Sequence, residues 1–335
     1  MLVGLTQLAI VVPCYNEEEV LPETCARLTA LLERLVGARK ISEDSRIWFV
    51  DDGSRDSTWS LIDGFVKSDL PVVGVKLSRN RGHQNALIAG LFCARGDAIA
   101  TVDADLQDDL DALERMLDRF HEGCDIVYGV RKRRDTDTLP KRATAQIFYR
   151  VIAALGAQTI HNHADYRLMS KRAVDALKDF REVNLYLRGI IPLIGFHSAI
   201  VEYDRTARFA GESKYPLRKM LALALDAVTS FSAVPLRMIS LLGFIIFVGS
   251  MTVSGWALWA SLIADQTVPG WTSTVLPMYF LGGVQLLALG VIGEYLGKLY
   301  VEVKARPRFV IEQILTSREG PVGNDARLSP ASCDV

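Results

Sequence analysis

No CxxC pair occurs in this sequence, no GxGxxG follows its first apolar run, no GxxxxGK[ST] is present anywhere, and the formal net charge is only -1. Each absence removes a class of function. The five cysteines, Cys14, Cys25, Cys93, Cys124 and Cys333, are odd in number and scattered. That pattern argues against a disulfide framework or a zinc cluster and fits a reducing compartment. Without the glycine fingerprints, neither a dinucleotide cradle nor a P-loop phosphate cradle is supported. The near balance of charge, with a pI of about 6.5, gives no whole-chain footprint for nucleic acid, so no nucleic-acid partner is expected. The first sixteen residues carry no charge and so lack the basic leader of a signal peptide. They read as a buried first strand running into the turn Pro13-Cys14-Tyr15-Asn16.

What the chain has in excess is apolar side chains, 50% of 335 residues, with a mean hydropathy of +0.18. The length allows one or two domains with a real core, but the excess lies in the last third. Residues 238–264 and 266–293 contain no charged side chain, and a membrane span needs only about 20 residues. Trp256, Trp259, Trp271 and Tyr279 suit the two bilayer interfaces. We therefore expect transmembrane helices at 238–264 and 274–297, joined by an external loop at 265–273. Arg218, Lys219 and Arg237 precede the pair, Lys298, Lys304, Arg306 and Arg308 follow it, and the loop has no Lys or Arg. The positive-inside rule then puts both termini in the cytoplasm, in a multi-pass protein of the inner membrane. Residues 214–237, with a basic start and a long apolar run, read as a juxtamembrane amphipathic segment lying on the bilayer. Residues 298–335 read as a cytoplasmic tail.

Residues 1–213 alternate short apolar runs with amphipathic ones, the pattern of βαβ units and a mostly parallel α/β sheet. Strands are expected at Leu8–Val12, Ile47–Asp51, Val72–Leu77, Ala98–Val102 and Asp125–Val130, with helices centred on Leu28, Leu61, Ala89 and Leu113. Ligands of such sheets sit beyond the carboxyl ends of the strands. There the sequence places PCYNEE, DDGSRDST, SRNRGHQN, DADLQDD and GVRKRRD in turn.

The fourth cluster carries the chemistry. Five aspartates fall between Asp103 and Asp111. Asp103 and Asp105 flank Ala104 where a strand ends, and two anions converging on one point repel unless a cation lies between them. Mg2+ or Mn2+ takes oxygen ligands, often one or two carboxylates plus substrate phosphates, so Asp103, Asp105 and the amide oxygen of Gln107 form the expected metal set. Asp108, Asp109 and Asp111 fall where the next helix should start. Capping and the helix dipole account for them without chemistry. The run Arg131-Lys132-Arg133-Arg134 supplies positive charge for a diphosphate, with one side chain expected to reach in. His83 reads as a helix-start residue rather than a substrate contact, and His161 and His163 lack further ligands for a metal.

In this order, VVPCYNEE, VDDGSRDST, LSRNRGHQNALIAGL, DADLQDD, ADYRLM, RFAGESKY and GGVQLLALGVIGEYLGKLYVEVKARP resemble the family 2 glycosyltransferases of the GT-A fold. Within them the likeness is to the polyprenyl-phosphate group of dolichyl-phosphate mannose synthase and bactoprenol glucosyltransferase, over nearly the whole chain. The resemblance implies that Pro13, Tyr15 and Glu17 form the first nucleotide-binding loop and that Asp52 addresses the nucleoside. It assigns Asp103, Ala104, Asp105 and Gln107 to the metal and diphosphate motif. Arg131, Arg188, Arg208 and Lys214 match basic positions near donor diphosphate and acceptor phosphate, and Gly211–Tyr215 a loop that closes on the diphosphate. Asp165 matches the aspartate assigned as catalytic base. A polyprenyl phosphate is already largely ionised at neutral pH, its second pKa being near 6, so an organiser of basic side chains is the alternative role for Asp165.

The expected reaction is metal-dependent, inverting transfer of one sugar, glucose foremost, from a nucleotide diphosphate sugar to a polyprenyl phosphate in the bilayer, with Arg131 and Asp165 as catalytic residues. The expectation leaves room for a homo-oligomer. Two alternatives stand beside it. A processive polysaccharide synthase would need a QxxRW motif, and no Arg-Trp pair occurs. A non-catalytic membrane anchor with a degenerate fold would have no need of the intact Asp103, Asp105 and Gln107 set.

Overall fold

The computed structural model of the chain describes residues 5–131, 163–180, 182, 187–204, 236, 238–239, 241–246, 248–249, 252 and 271–316. The chain divides into two compact units: Met1–Asp137 with Thr159–Lys214 and Arg306–Val335, and Thr138–Gln158 with Tyr215–Ala305.

The first unit is built on β1 (Leu8–Cys14), whose seven residues are all buried. A strand covered on both faces has no polar side, which is why LAIVVPC is continuously apolar. Around it the sheet contains β2 (Arg46–Asp51), β3 (Val72–Leu77), β4 (Ala98–Thr101), β5 (Ile126–Arg131), β6 (His163–Ser170), β7 (Ser198–Tyr203) and β8 (Ile311–Thr316), in the order β7-β5-β6-β4-β1-β2-β3-β8. β1 pairs in parallel with β2 and β4, β2 with β3, and β5 with β7. β6 runs antiparallel between β4 and β5, and β8 antiparallel along β3. The α/β class and the mixed, mostly parallel sheet are those expected.

Helices α1 (Leu21–Gly37), α2 (Thr58–Lys67), α3 (His83–Cys93) and α4 (Asp111–His121) connect the first five strands, with α5 (Lys171–Lys178) and α6 (Leu187–Leu193) later. α1 buries Leu21, Thr24, Cys25, Leu28, Leu31, Leu32 and Leu35, one stripe at helical spacing. α3 lies flat against β1 and β2. A Cβ on its Gly90 would come within 2.3 Å of Val11 Cγ1 and 2.8 Å of Val50 Cγ2, so glycine sets the helix–sheet distance. That close seat buries every residue from Ala86 to Cys93.

Residues 298–335, set apart as a tail by the sequence reading, supply β8. Val73 pairs with Thr316 and Ile311 with Leu77. Lys76 Nζ reaches Glu312 Oε1 at 3.0 Å, and Ser78 N donates to Val310 O at 2.9 Å. Without this strand β3 would present an unpaired edge.

In the second unit, α7 (Trp271–Val303) is a helix of 33 residues with Pro277 inside it, about 50 Å long at 1.5 Å per residue. It includes the expected second span, 274–297, and extends beyond it at both ends. Its Val284–Val303 window is long and apolar enough to cross a membrane. Of the expected first span, 238–264, the structure describes 238, 239, 241–246, 248, 249 and 252, all helical, and the rest lies outside the described residues, as does the segment 214–237 except Leu236.

Candidate active site

The parallel strands β1, β2, β3 and β4 end at Cys14, Asp51, Leu77 and Thr101 on one edge of the sheet. β6 starts on that edge because it runs antiparallel, with Arg167 opposite both Thr101 and Tyr128. β5 and β7 also finish there, with Arg131 opposite Tyr203. Side chains from seven strand termini and the α3 start thus share one rim.

The loops after β1 and β2 are laced together. Asn16 N donates to Ser54 Oγ at 3.0 Å, Glu17 N to Thr58 Oγ1 at 2.9 Å, and Arg55 N to Asn16 Oδ1 at 2.9 Å. Pro13 lies within β1, and Tyr15 is 41% exposed at the rim. Asp52 is buried, and its two oxygens accept Arg81 N at 2.7 Å and Gly82 N at 2.8 Å. Its neighbour Gly53 has φ +68, and a Cβ there would meet Arg79 C and Asn80 N at 2.7 Å. Asp52 and Gly53 therefore fix the loop that leads through Gly82 into α3 and sets His83 at the helix start.

After β4 the chain turns sharply, with Leu106 at φ 55. Ala104 is held by Thr24 Oγ1, which donates to its carbonyl at 2.9 Å, and Gln107 N donates to Asp105 Oδ1 at 3.3 Å. Asp103, Asp105 and Gln107 all lie in this one turn. Burial pushes the Asp103 carboxyl up, to about 6; His83 opposes the shift, while Asp108, Asp165 and Asp105 add to it. Such a carboxyl is short of positive charge. Among the described residues no three His, Cys, Asp or Glu side chains form a complete metal cage. The donor set fits a hard cation such as Mg2+ or Mn2+ that takes its remaining ligands from substrate phosphates and water.

Asp165 faces the opposite situation. Arg167 Nη2 donates to its Oδ1 at 2.6 Å, and Arg188 donates to Oδ1 from Nε at 3.3 Å and to Oδ2 from Nη2 at 3.1 Å. Thr101 Oγ1 donates to its backbone carbonyl. Burial would raise the Asp165 carboxyl, but nearby His83 and the charges of Arg167 and Arg188 outweigh it and hold it far below the usual carboxylate range. Arg167 is only 1% exposed, with Nε and Nη1 unpartnered among the described residues.

His83 was read as a helix-start residue, and it occupies that position. It also stands 3.6 Å from Asp103 Oδ1 and 3.7 Å from Asp165 Oδ2 through Nε2, so its place in the site was missed. Asp108 is a correction of a different kind. It does not cap α4, whose N-cap is Leu110 without a side-chain bond. Its carboxyl is 1% exposed and engages Arg131. Asp109 does serve the helix start, accepting Asp111 N at 3.0 Å. Arg131 lies at the end of β5 on the rim. Arg208, Lys214, the Gly211–Tyr215 loop, Lys132, Arg133, Arg134 and His161 lie outside the described residues, as does the side chain of His163.

Residues 9–178 match Glycosyl transferase family 2. The chain belongs to that family. It is 50% identical over 307 residues to the uncharacterized glycosyltransferase YkoT of Bacillus subtilis, covering 91% of each chain. It is 39% identical over 309 residues to the uncharacterized glycosyltransferase sll0501 of Synechocystis, covering 92% of this chain and 95% of the other. It is also 37% identical over 311 residues to a protein of Shigella phage SfX named bactoprenol glucosyl transferase, covering 91% of this chain and 99% of the relative.

Proposed function

We propose that this glycosyltransferase moves one glucose from a nucleotide diphosphate sugar to a polyprenyl phosphate at the cytoplasmic face of the inner membrane, inverting the anomeric centre. The observation that carries this reading is the division of the rim into an acidic turn short of cations, Asp103 to Gln107, and a bank of arginines around Asp165. The first half suits a donor diphosphate with its divalent cation, and the second an acceptor phosphate. The phage relative's name supports the choice of acceptor and sugar.

In the proposed reaction an acceptor phosphate oxygen attacks the anomeric carbon. The new carbon–oxygen bond forms as the bond to the nucleoside diphosphate breaks on the opposite face. A Mg2+ or Mn2+ held by Asp103, Asp105 and Gln107 would offset charge on the departing diphosphate, with Arg131 beside it. Tyr15 and Glu17 border the nucleoside. Asp52, with both oxygens committed to backbone amides, shapes that pocket through the Arg79–Gly82 loop. Arg188 orients the acceptor phosphate, and Arg208 and Lys214 add positive charge.

Asp165 is an organiser in this scheme. A carboxylate held ionised by two guanidiniums is a weak base, and the nucleophile, being an anion already, has no proton to lose. Asp165 instead fixes Arg188 and His83 beside the reacting phosphate.

The test is to incubate membranes containing the full chain with undecaprenyl phosphate, Mn2+ and labelled UDP-glucose or GDP-mannose, and to weigh any chloroform-soluble product. A hexosyl lipid phosphate from UDP-glucose is expected. Lack of a lipid product with either donor overturns the reading. For topology, a cysteine replacing Thr272 should react with an impermeant reagent applied outside intact cells, and one replacing Ser317 should not.

A further inference from the structure

Asp108, read from the sequence only as a helix-start residue, and Tyr203, given no role there, form a buried polar cluster on the rim. Tyr203 is 1% exposed. Its hydroxyl donates to Asp108 Oδ1 at 2.6 Å and accepts Arg131 Nε at 3.1 Å. Arg131 Nη2 closes the triangle to Asp108 Oδ1 at 3.3 Å. The other carboxyl oxygen of Asp108 is buried without a hydrogen-bond partner among the described residues.

A second tyrosine extends the clamp. Tyr166 packs edge-on against Tyr203, with ring centroids 5.3 Å apart, and its hydroxyl donates to Asp109 O at 3.0 Å. Space for it depends on Gly129 in β5, where a Cβ would come within 3.0 Å of Tyr166 Cδ1. Adjacent residues of the acidic turn, Asp108 and Asp109, are thus fastened to β7 and β6, and Arg131 at the end of β5 is fastened with them.

The geometry points to Tyr203 and Asp108 as positioning residues that lock the Arg131 guanidinium in register with the Asp103–Gln107 turn, so that one diphosphate meets both. This inference rests on the proposed role of Arg131 at the donor diphosphate. Two hydrogen bonds fix the guanidinium plane, leaving Nη1 without a partner among the described residues. A charged side chain held in this way loses less rotamer freedom when it binds its anion. Burial and the nearby Asp108 charge push the Tyr203 hydroxyl's pKa up, so the hydroxyl stays a donor.

A double-mutant cycle tests it. UDP and GDP are titrated with Mn2+ into the full chain, and the tighter of the two is carried through Tyr203→Phe, Arg131→Ala and the double variant, with donor kcat/KM alongside. Arg131→Ala is expected to weaken the nucleotide about tenfold, and Tyr203→Phe about threefold. The double variant should be no weaker than Arg131→Ala alone, because the hydroxyl has then lost the group it positions. An equal factor from Tyr203→Phe in both backgrounds, or no effect in either, overturns the positioning role while leaving Arg131's own role intact. An unchanged affinity in Arg131→Ala overturns that role and the inference with it. If Tyr203→Phe does not fold, Asp108→Asn is put through the same cycle with the same expectations.

Discussion

Asp103 and Asp165 lie 3.6 and 3.7 Å from the same His83 Nε2, yet their carboxyls are driven in opposite directions. The Asp103 side is built of acids, Asp105 and Asp108 among them, and burial raises its carboxyl to about 6. The Asp165 side contains Arg167 and Arg188, which overcome burial and depress it. One half of the rim is short of positive side chains, whereas the other contains its own. What separates the two carboxyls is therefore the supply of nearby positive side chains, since burial acts on both.

Removing the acidic half should have the largest effect. Asp105→Ala is expected to lower kcat/KM by at least about a hundredfold and to abolish the Mn2+ dependence of UDP binding. Titration with and without the ion checks this, and full metal-dependent binding in the variant would end the assignment.

The opposite half should respond first in stability. Arg167→Met removes a buried partner of Asp165, and breaking such a pair costs about 3 kcal/mol, read as a lowered urea midpoint. If the midpoint is unchanged, Arg188 alone suffices to hold the carboxylate. Asp165→Asn tests the organiser role more directly. Turnover should persist at saturating acceptor, with acceptor KM raised about tenfold and a rate profile that follows lipid phosphate ionisation near pH 6. Loss of all turnover at saturating acceptor, with donor binding intact, would instead make Asp165 the base.

The smallest effect concerns acid. A group whose folded pKa is depressed adds stability that is complete above its unfolded value, about 3.9, and is lost as pH falls. The thermal midpoint of the wild-type protein should thus decline more steeply between pH 5 and pH 3 than that of Asp165→Asn. Parallel declines would show that Asp165 gains nothing from its arginines.

Much of this comparison was legible in the chain itself. β1 to β5 read as apolar runs because parallel strands are covered on both faces, and the polar clusters fell where those strands stop. β6 was not legible, because HADYRLMS mixes a buried Asp165 and Arg167 with apolar residues and so follows no simple period. β8 was hidden by distance: Lys76 and Glu312 are 236 positions apart, with the long apolar runs between them. Asp108 was read as part of a helix start because it sits in a row of aspartates. Only β7, which lacked a sequence signal of its own, gives it Tyr203 as partner. His83 was half read, since its helix position is local while its two acidic neighbours come from β4 and β6.

β8 also constrains everything that lies between it and β7. Both strands belong to one sheet, so the chain leaves that sheet after Tyr203 and rejoins it at Ile311. A thread that returns to the same cloth pierces any intervening layer an even number of times. Under the proposed membrane reading, any anchor formed from the residues between would have to cross an even number of times. Parity of passage is written into a six-residue strand at the far end of the chain.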